Sequence, residues 1–458
     1  MTTLQSEGDR RAWLATAGAL ALAYALYVGR GGGYPLPLAL LTISIACTGM
    51  AVLSHRVPSV DWPRGLPRLL AYGLAIQFAL LFVWPLTNPL SLASPGHYVP
   101  FWIGLVAAAI VAATPLFGVS SSSRWRLAAL LVIHFALGVW VIGAGGDPFI
   151  DVWIMQRDGA DALVDGVNPY LPIYPNIHGP DSPYYGPGLV VDGELTIGFP
   201  YPPLSLLLVL PGQLLGGDPR FAHLVAIEAA AVAMAVVRPG GISSGAALLY
   251  LFTPWTFFMV AGSWTEPLAI LMLSLVALAA VRAPRLLGLA LGLLIGVKQY
   301  MLLGLPLALL LLARDGRTRW RLAWQSVTVA ALITIPFVVW DPGAFTWSTL
   351  GSLAGQAFRP DSLTYLTLLP DDWGTRLSIV GFLLLVPGFI LLAIRAPRGA
   401  SGFAAAMGFL LLVFFAFSRQ GSANYHFAVI GALCCAVAAN DWQHLAPDAS
   451  PPEVVRPP

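Results

Sequence analysis

Acidic side chains are concentrated in one stretch of this 458-residue chain. Residues 145–201 contain eight of its 22 acidic residues and a single basic one, Arg157. Asp147 and Asp151 stand near the start of this stretch, where a long apolar run ends. A positioned carboxylate can take a proton from a hydroxyl in the transition state, which accelerates such reactions by about 10²–10⁴-fold. The stretch therefore predicts a general-base site, with Asp151 as the first candidate and Asp147 as the second.

The residues after Asp151 follow a helical period, with Val152, Met155 and Leu163 on the apolar side. This pattern predicts an amphipathic helix on a membrane surface, ended near Gly166. Asp151 would stand at its start, where a carboxylate can accept hydrogen bonds from free backbone N–H groups and face the helix dipole. The catalytic and the structural interpretation of Asp151 both stay open.

Tyrosines and prolines fill the rest of the stretch. Aromatic faces beside carboxylates are typical of sugar sites, but an aromatic belt at a membrane interface has the same composition. We predict that four residues bind the sugar or the acceptor: Asp147, Tyr170, Tyr201 and Glu266. A simple helix-start carboxylate is the alternative for Glu266.

Few basic residues are placed to bind a phosphate on the same side. Lys298, the single lysine, lies between two short apolar runs, and a cation at that depth is costly unless it is paired. Arg419 and His426 flank a polar turn, and Arg359 lies in a second polar stretch. We predict that these four bind an anionic group of a ligand. The alternatives are snorkelling for Lys298, an interfacial histidine for His426 and a local pair with Asp361 for Arg359.

The composition of the chain indicates what kind of structure must position these residues. Hydrophobic residues make up 57% of the chain and charged residues 10%, and mean hydropathy is +0.76. Soluble domains contain about 25% charged residues, so lipid must be the main solvent here. Without a basic stripe, nucleic-acid binding has no support. His and Cys residues lack metal-ligand spacing, so we predict that neither a metal nor a cofactor is needed.

The predicted fold class is all-α, a transmembrane bundle of about 14 spans with interfacial helices in a large outer loop. The segment 202–215 is short and proline-rich. Reading it as an interfacial helix rather than a span places most arginine clusters in the cytoplasm, as the positive-inside rule favours. The predicted spans are 13–29, 36–54, 69–87, 100–118, 125–144, 219–237, 243–260, 265–282, 285–298, 301–313, 321–340, 377–395, 402–418 and 424–440.

This topology divides the chain into three parts. Residues 1–124 form an N-terminal group of helices, 125–445 form the module that contains the site, and 446–458 form a disordered tail. Two long loops, 145–201 and 341–376, lie on the non-cytoplasmic side.

Several short motifs resemble one enzyme superfamily. The string Pro148-Phe149-Ile150-Asp151-Val152-Trp153, followed by Asn168-Pro169-Tyr170 and later by Tyr201-Pro202-Pro203-Leu204, resembles the GT-C glycosyltransferases that use polyprenyl-phosphate donors. The bacterial GT87 mannosyltransferases are the most similar group. The resemblance covers about residues 140–440. It departs from the superfamily in one respect, because five predicted spans precede the acidic loop instead of one.

The resemblance implies that Asp151 is the catalytic base of an inverting transferase in a bacterial plasma membrane. The donor would be a polyprenyl-phosphate sugar, mannose or a similar hexose or pentose. Its phosphate would be bound by Lys298, Arg419, His426 and Arg359. The acceptor would be a cell-envelope glycolipid or glycan on the non-cytoplasmic face. A membrane transporter or lipid flippase is the alternative from another class, and an inactive scaffold of the same fold is a third.

Overall fold

The computed structural model describes residues 3–29, 35–54, 65–83, 98–114, 123–180, 182 and 184–441. The described chain is all-α, with one small β-hairpin. The predicted tail 446–458 and the ends of two predicted spans, 84–87 and 115–118, lie outside the described residues.

The helices and strands are as follows in chain order: α1 (Thr3–Gly29), α2 (Pro35–Leu53), α3 (Leu66–Val83), α4 (Val99–Ala113), α5 (Ser123–Gly145), α6 (Asp151–Val164), β1 (Val190–Val191), β2 (Glu194–Leu195), α7 (Pro203–Gly216), α8 (Arg220–Val237), α9 (Gly241–Leu251), α10 (Thr256–Ala261), α11 (Glu266–Arg282), α12 (Leu287–Val297), α13 (Gly304–Leu311), α14 (Gly316–Trp340), α15 (Pro342–Thr346), α16 (Ser352–Ala354), α17 (Asp371–Leu377), α18 (Ile379–Arg395), α19 (Ala400–Ala416) and α20 (Ala423–Ala439). Short 3₁₀ turns lie at Pro284–Leu286, Gln299–Leu303 and Tyr365–Leu368, and a π turn lies at Trp347–Gly351.

Within the residues that the structure describes, seven helices are long and apolar enough to cross a membrane. Each of the fourteen predicted spans overlaps at least one helix, but at the other seven places the helices are shorter. The predicted number of spans therefore stays a prediction. The seven long segments are Gly8–Gly29, Pro35–Leu53, Leu66–Val83, Arg124–Gly145, Arg220–Val237, Gly316–Trp340 and Asp372–Arg395.

Two breaks interrupt apolar runs. The predicted span 243–260 is not one helix, because α9 ends at Leu251 and α10 begins at Thr256. Pro254 lies between them, and proline has no N–H for the helical hydrogen bond. The second break is at Lys298, which is extended (φ −156°, ψ 144°) after the end of α12. That break agrees with the predicted turn between two short runs.

The predicted helix after Asp151 is confirmed as α6, which begins at Asp151. Its buried face includes Val152, Trp153 and Met155. Gly166 follows with a φ of +74°, a left-handed conformation that favours glycine and ends the helix. Helix α7 corresponds to the predicted segment 202–215 and packs against α6, α8 and α12.

The N-terminal helices pack directly on the rest of the chain. Helix α1 contacts α20, α2 contacts α19, and α3 contacts α9. The Arg11 guanidinium donates to the carbonyl of Ala51, which joins α1 to α2 at 2.5 Å. The helices of the predicted N-terminal group are therefore in contact with those of the predicted site module.

Candidate functional site

A cavity of about 900 Å³ lies between the two long loops, the turn Gln299–Leu303 and helices α13, α18, α19 and α20. It brings together five residues predicted from sequence, although they lie far apart in the chain. These five are Asp151, Tyr201, Lys298, Arg359 and Arg419. A large concave site with a few convergent polar groups is the usual form of a small-molecule site.

The Asp151 carboxylate is held at the start of α6 by two hydrogen bonds. Its Oδ1 accepts from the backbone N–H of Val152 at 2.8 Å, and its Oδ2 accepts from the Tyr185 hydroxyl at 3.1 Å. Burial, and after it the neighbouring carboxylate, raises the pKa of Tyr185, so this hydroxyl remains a protonated donor. The side chain is partly exposed to the cavity. Asp151 therefore combines the predicted contact with the helix start and a position at the cavity wall.

The two long loops contact each other beside Asp151. Tyr185 and Gln356 form an isolated antiparallel bridge. The Arg359 guanidinium lies over the ring of Tyr184, 4.5 Å from its centre. The contact is tight, because a Cβ added at Gly186 would lie 2.0 Å from the carbonyl oxygen of Gly355. The second loop therefore forms part of the cavity wall beside Asp151.

A second contact between the loops depends on Gly198. Its N–H donates to Ser348 Oγ at 2.8 Å, and that hydroxyl donates to the carbonyl of Tyr170 at 3.0 Å. A Cβ on Gly198 would lie 2.1 Å from the Tyr170 carbonyl oxygen. Side chains cannot approach backbone this closely, so a substitution here must move one loop.

We expect Gly198→Ala to lower the stability of the protein by about 1–3 kcal/mol, as overpacking does. Thermal unfolding of the purified protein followed by tryptophan fluorescence measures the effect. Gly143→Ala is the matched control, because a Cβ at Gly143 meets nothing within 4 Å. Equal unfolding midpoints for the two variants would contradict the close approach of Gly198 to the backbone of Tyr170.

Lys298 is buried and already paired. Its ammonium donates to Glu266 Oε1 and, at 2.6 Å, to Thr265 Oγ1. It also lies 4.9 Å from the ring centre of Tyr201, with two further tyrosines at 5.2 and 5.5 Å. Cations are attracted to aromatic faces at such distances. The pairing that a cation needs at depth is therefore supplied by a neighbouring carboxylate and by rings, not by exposure to headgroups.

Two arginines of the wall differ in how their charge is balanced. Arg359 forms two hydrogen bonds with Asp361, at 2.9 and 2.7 Å, and this pairing lowers the pKa of the Asp361 carboxyl. Arg419 instead donates to two backbone carbonyls, of Ala354 at 3.2 Å and Gln356 at 2.9 Å. Within the described part of the chain, Arg419 is in no ion pair. Arg419 is therefore the wall cation whose charge is left for a ligand.

One side of the cavity is apolar. We call it the apolar arm, and it is contributed by the turn before α13 and by α13, α18 and α19. Its residues are Leu302, Leu303, Leu305, Pro306, Phe382, Leu385, Phe389 and Phe414. An arm of this composition fits a hydrocarbon chain, which gains free energy by leaving water or lipid headgroups.

Four predicted site residues do not line the cavity. Asp147 is 77% exposed and its Oδ2 lies 3.9 Å from Arg157. The buried Tyr170 donates its hydroxyl to the carbonyl of Tyr201 at 2.9 Å. Glu266 is buried behind the wall as the partner of Lys298. His426 is buried, and its Nε2 lies 2.8 Å from the carbonyl oxygen of Leu363.

Sequence reasoning did not assign a site role to several wall residues. Tyr185 is one of the tyrosines of the acidic stretch, but no short-range pattern in the sequence predicts its hydrogen bond with Asp151. Phe149 lies in the motif around Asp151, so its distance of two residues from Asp151 was a signal that it could line the site. Gln356 and His178 meet the site only through the packing of the loops. No spacing rule predicts such contacts.

Two polar clusters lie inside the helical packing and away from the cavity wall. His134 of α5 pairs with Glu228 of α8, with 2.6 Å between Nδ1 and Oε1. The buried His223 lies 2.6 Å from Gln156 Oε1 through its Nε2. Both histidines are packed, hydrogen-bonded residues. Among the described residues, no group of three or more His, Cys, Asp or Glu side chains is arranged to hold a metal ion.

No protein-family model matches this chain, and no curated protein and no solved structure is significantly similar to it. The resemblance to the GT-C glycosyltransferases therefore rests on the short motifs around Asp151 and Tyr201.

Proposed function

We propose that this protein is an inverting glycosyltransferase. It moves a sugar, mannose or a similar hexose or pentose, from a polyprenyl-phosphate donor to a glycolipid or glycan acceptor. The observation that supports this most is a single cavity that joins Asp151, the unpaired Arg419 and the apolar arm. A carboxylate, a cation and a hydrocarbon-lined groove correspond to the three parts of the reaction: hydroxyl, phosphate and lipid.

The chemistry needs one base. The acceptor hydroxyl oxygen attacks the anomeric carbon, and the bond from that carbon to the phosphate oxygen breaks with its electron pair going to the phosphate. The hydroxyl proton passes to the Asp151 carboxylate. Because the leaving phosphate needs no proton, a second carboxylic acid is unnecessary, in contrast to glycoside hydrolysis. Direct displacement of this kind inverts the anomeric configuration.

Each wall residue has a role in this proposal. The Val152 N–H and the Tyr185 hydroxyl orient the base toward the cavity. Arg419 faces the phosphate, whose negative charge grows as it leaves, and such preorganised cations stabilise developing charge. Lys298 has its charge balanced by Glu266, so it ranks behind Arg419 as a phosphate ligand.

The proposed reaction takes place on the non-cytoplasmic face of a bacterial plasma membrane. The charge distribution supports this side, because the acidic loop 145–201 has one basic residue while arginines cluster in the opposite connections. Polyprenyl-phosphate sugars are membrane-bound donors, so the donor would reach the cavity from the lipid.

The test is a transfer assay with purified protein in lipid vesicles. A panel of polyprenyl-phosphate sugars is incubated with envelope glycolipids, and free polyprenyl phosphate and the glycosylated product are quantified. We expect equimolar release and product formation with one donor, and none with a matched preparation of the Asp151→Asn variant. Movement of the lipid across the vesicle without cleavage would instead favour a flippase.

A separate prediction concerns the phosphate. We expect Arg419→Ala to raise the KM for the donor about ten- to hundredfold, the effect of losing hydrogen bonds from a charged group. Steady-state kinetics with varied donor measure it. Arg376→Ala is the control, because Arg376 is an exposed arginine of the second long loop that does not line the cavity. An unchanged donor KM in Arg419→Ala would remove this residue from the phosphate site.

A further inference from the structure

Three rings in the cavity wall have no part in the chemistry above. Phe149 stands two residues before Asp151, and His178 and Tyr184 come from the middle of the same loop. The ring centre of His178 lies 5.6 Å from that of Phe149 and 4.7 Å from that of Tyr184. We call these three residues the aromatic wall. It is continuous from ring to ring and borders the proposed base.

The aromatic wall is open on its cavity side. Phe149 is 71% exposed and Tyr184 is 42% exposed. Phe149 has an edge contact with His178, and Tyr184 contacts both His178 and the guanidinium of Arg359. An exposed apolar surface of this kind leaves free energy to be gained by a ligand that covers it. Phe149 offers the larger free surface of the two.

Charge distinguishes the possible ligands of this surface. The guanidinium of Arg359 contacts the wall at Tyr184, and it already forms two hydrogen bonds with Asp361. Asp151 lies next to the wall and would repel a second anion. A phosphate or carboxylate ligand is therefore disfavoured here, whereas Arg419 offers an unpaired charge elsewhere in the cavity. The wall suits an uncharged ligand that can also donate a hydrogen bond to a carboxylate.

We propose that the aromatic wall binds the acceptor and that the acceptor group bound there is an uncharged carbohydrate. The faces of sugar rings present C–H groups with partial positive charge, which are attracted to the negative face of an aromatic ring. A sugar stacked on Phe149 directs a hydroxyl toward Asp151. This assignment rests on the proposed transferase function and adds to it the chemical class of the acceptor.

The position of the wall separates the two substrates. The apolar arm is formed mainly by helices α13, α18 and α19, whereas the aromatic wall belongs entirely to the first long loop. The lipid of the donor occupies the arm, and the acceptor sugar occupies the wall. Substitutions in the wall must then change the KM for the acceptor and leave the KM for the donor as it is.

The experiment measures transfer from the polyprenyl-phosphate donor to three probes: octyl mannoside, octyl glucoside and octyl glucuronide. We expect the two neutral glycosides to be better acceptors than the anionic one. Phe149→Ala raises the KM for the neutral probes about three- to tenfold, which corresponds to the free energy lost with one aromatic stacking contact. Phe149→Tyr keeps the wild-type KM, while Phe149→Leu behaves like Phe149→Ala. The donor KM is the same in all of them.

Val164→Ala is the matched control, because Val164 is an exposed apolar residue of the same loop, 56% accessible, that does not line the cavity. It should keep wild-type values for both substrates. Recovery of the acceptor KM by Phe149→Leu would overturn the proposal in favour of a membrane anchor, as would equal changes in both KM values. Preference for the glucuronide would also overturn it. If the wild-type protein releases no polyprenyl phosphate with any acceptor, the transferase function itself is wrong.

Discussion

Replacing Asp151 by Asn should reduce transfer at least about 10²–10⁴-fold while the protein remains folded and inserted. The amide has the shape of the carboxylate. Its oxygen can keep the hydrogen bond from the Val152 N–H, and its NH2 group, in place of Oδ2, can donate to the oxygen of the Tyr185 hydroxyl. It cannot take the proton of the acceptor hydroxyl. The measurement is the initial rate of polyprenyl phosphate release at saturating donor and acceptor. Size-exclusion profile and thermal unfolding midpoint should match those of the wild type.

Asp147→Asn is the matched control for this experiment. Asp147 is 77% exposed, lies beside Arg157 and does not line the cavity, so its replacement should leave the rate close to wild type. The reverse result, activity in Asp151→Asn and none in Asp147→Asn, would move the base to Asp147. Loss of activity in both variants with altered unfolding would point to a structural role for the start of the loop.

The local features of the site were predictable because they depend on short stretches of sequence. The period after Asp151 predicted α6, and Pro202-Pro203 predicted the start of α7. Two short apolar runs predicted the break at Lys298. In each case the signal is apolar spacing or a residue with restricted backbone, and both act within a few residues.

The partners of the predicted residues could not be read from the sequence. Lys298 was expected to face a phosphate, but it is paired with Glu266, 32 positions earlier in the chain. Tyr170 was expected at a sugar, but it is buried and its hydroxyl joins two parts of one loop. A lone ionisable residue in an apolar run indicates that the folded protein must supply a partner for its charge. Which residue compensates it depends on helix packing, which a single sequence does not reveal.

We expect Lys298→Met to destabilise the protein strongly, by about 3–5 kcal/mol, because it leaves the carboxylate of Glu266 buried without its cation. Glu266 would keep only its hydrogen bonds with Asn424 at 2.9 Å and Tyr300 at 3.4 Å. Glu266→Gln should also destabilise, since the buried ammonium would retain Thr265 and the tyrosine rings but lose its counter-ion. The yield of folded protein and its apparent unfolding midpoint in detergent measure both effects.

The double variant Glu266→Gln/Lys298→Met decides between a structural and a phosphate-binding role for Lys298. With both charges removed, no buried ion lacks a partner, and replacing a buried pair by neutral groups is often neutral or stabilising. We therefore expect its unfolding midpoint to recover most of the loss seen in each single variant. Because the charge of Lys298 is balanced inside the protein, we expect the donor KM of the double variant to stay near the wild-type value. A rise comparable to that of Arg419→Ala, in a protein of restored stability, would assign Lys298 to the phosphate after all.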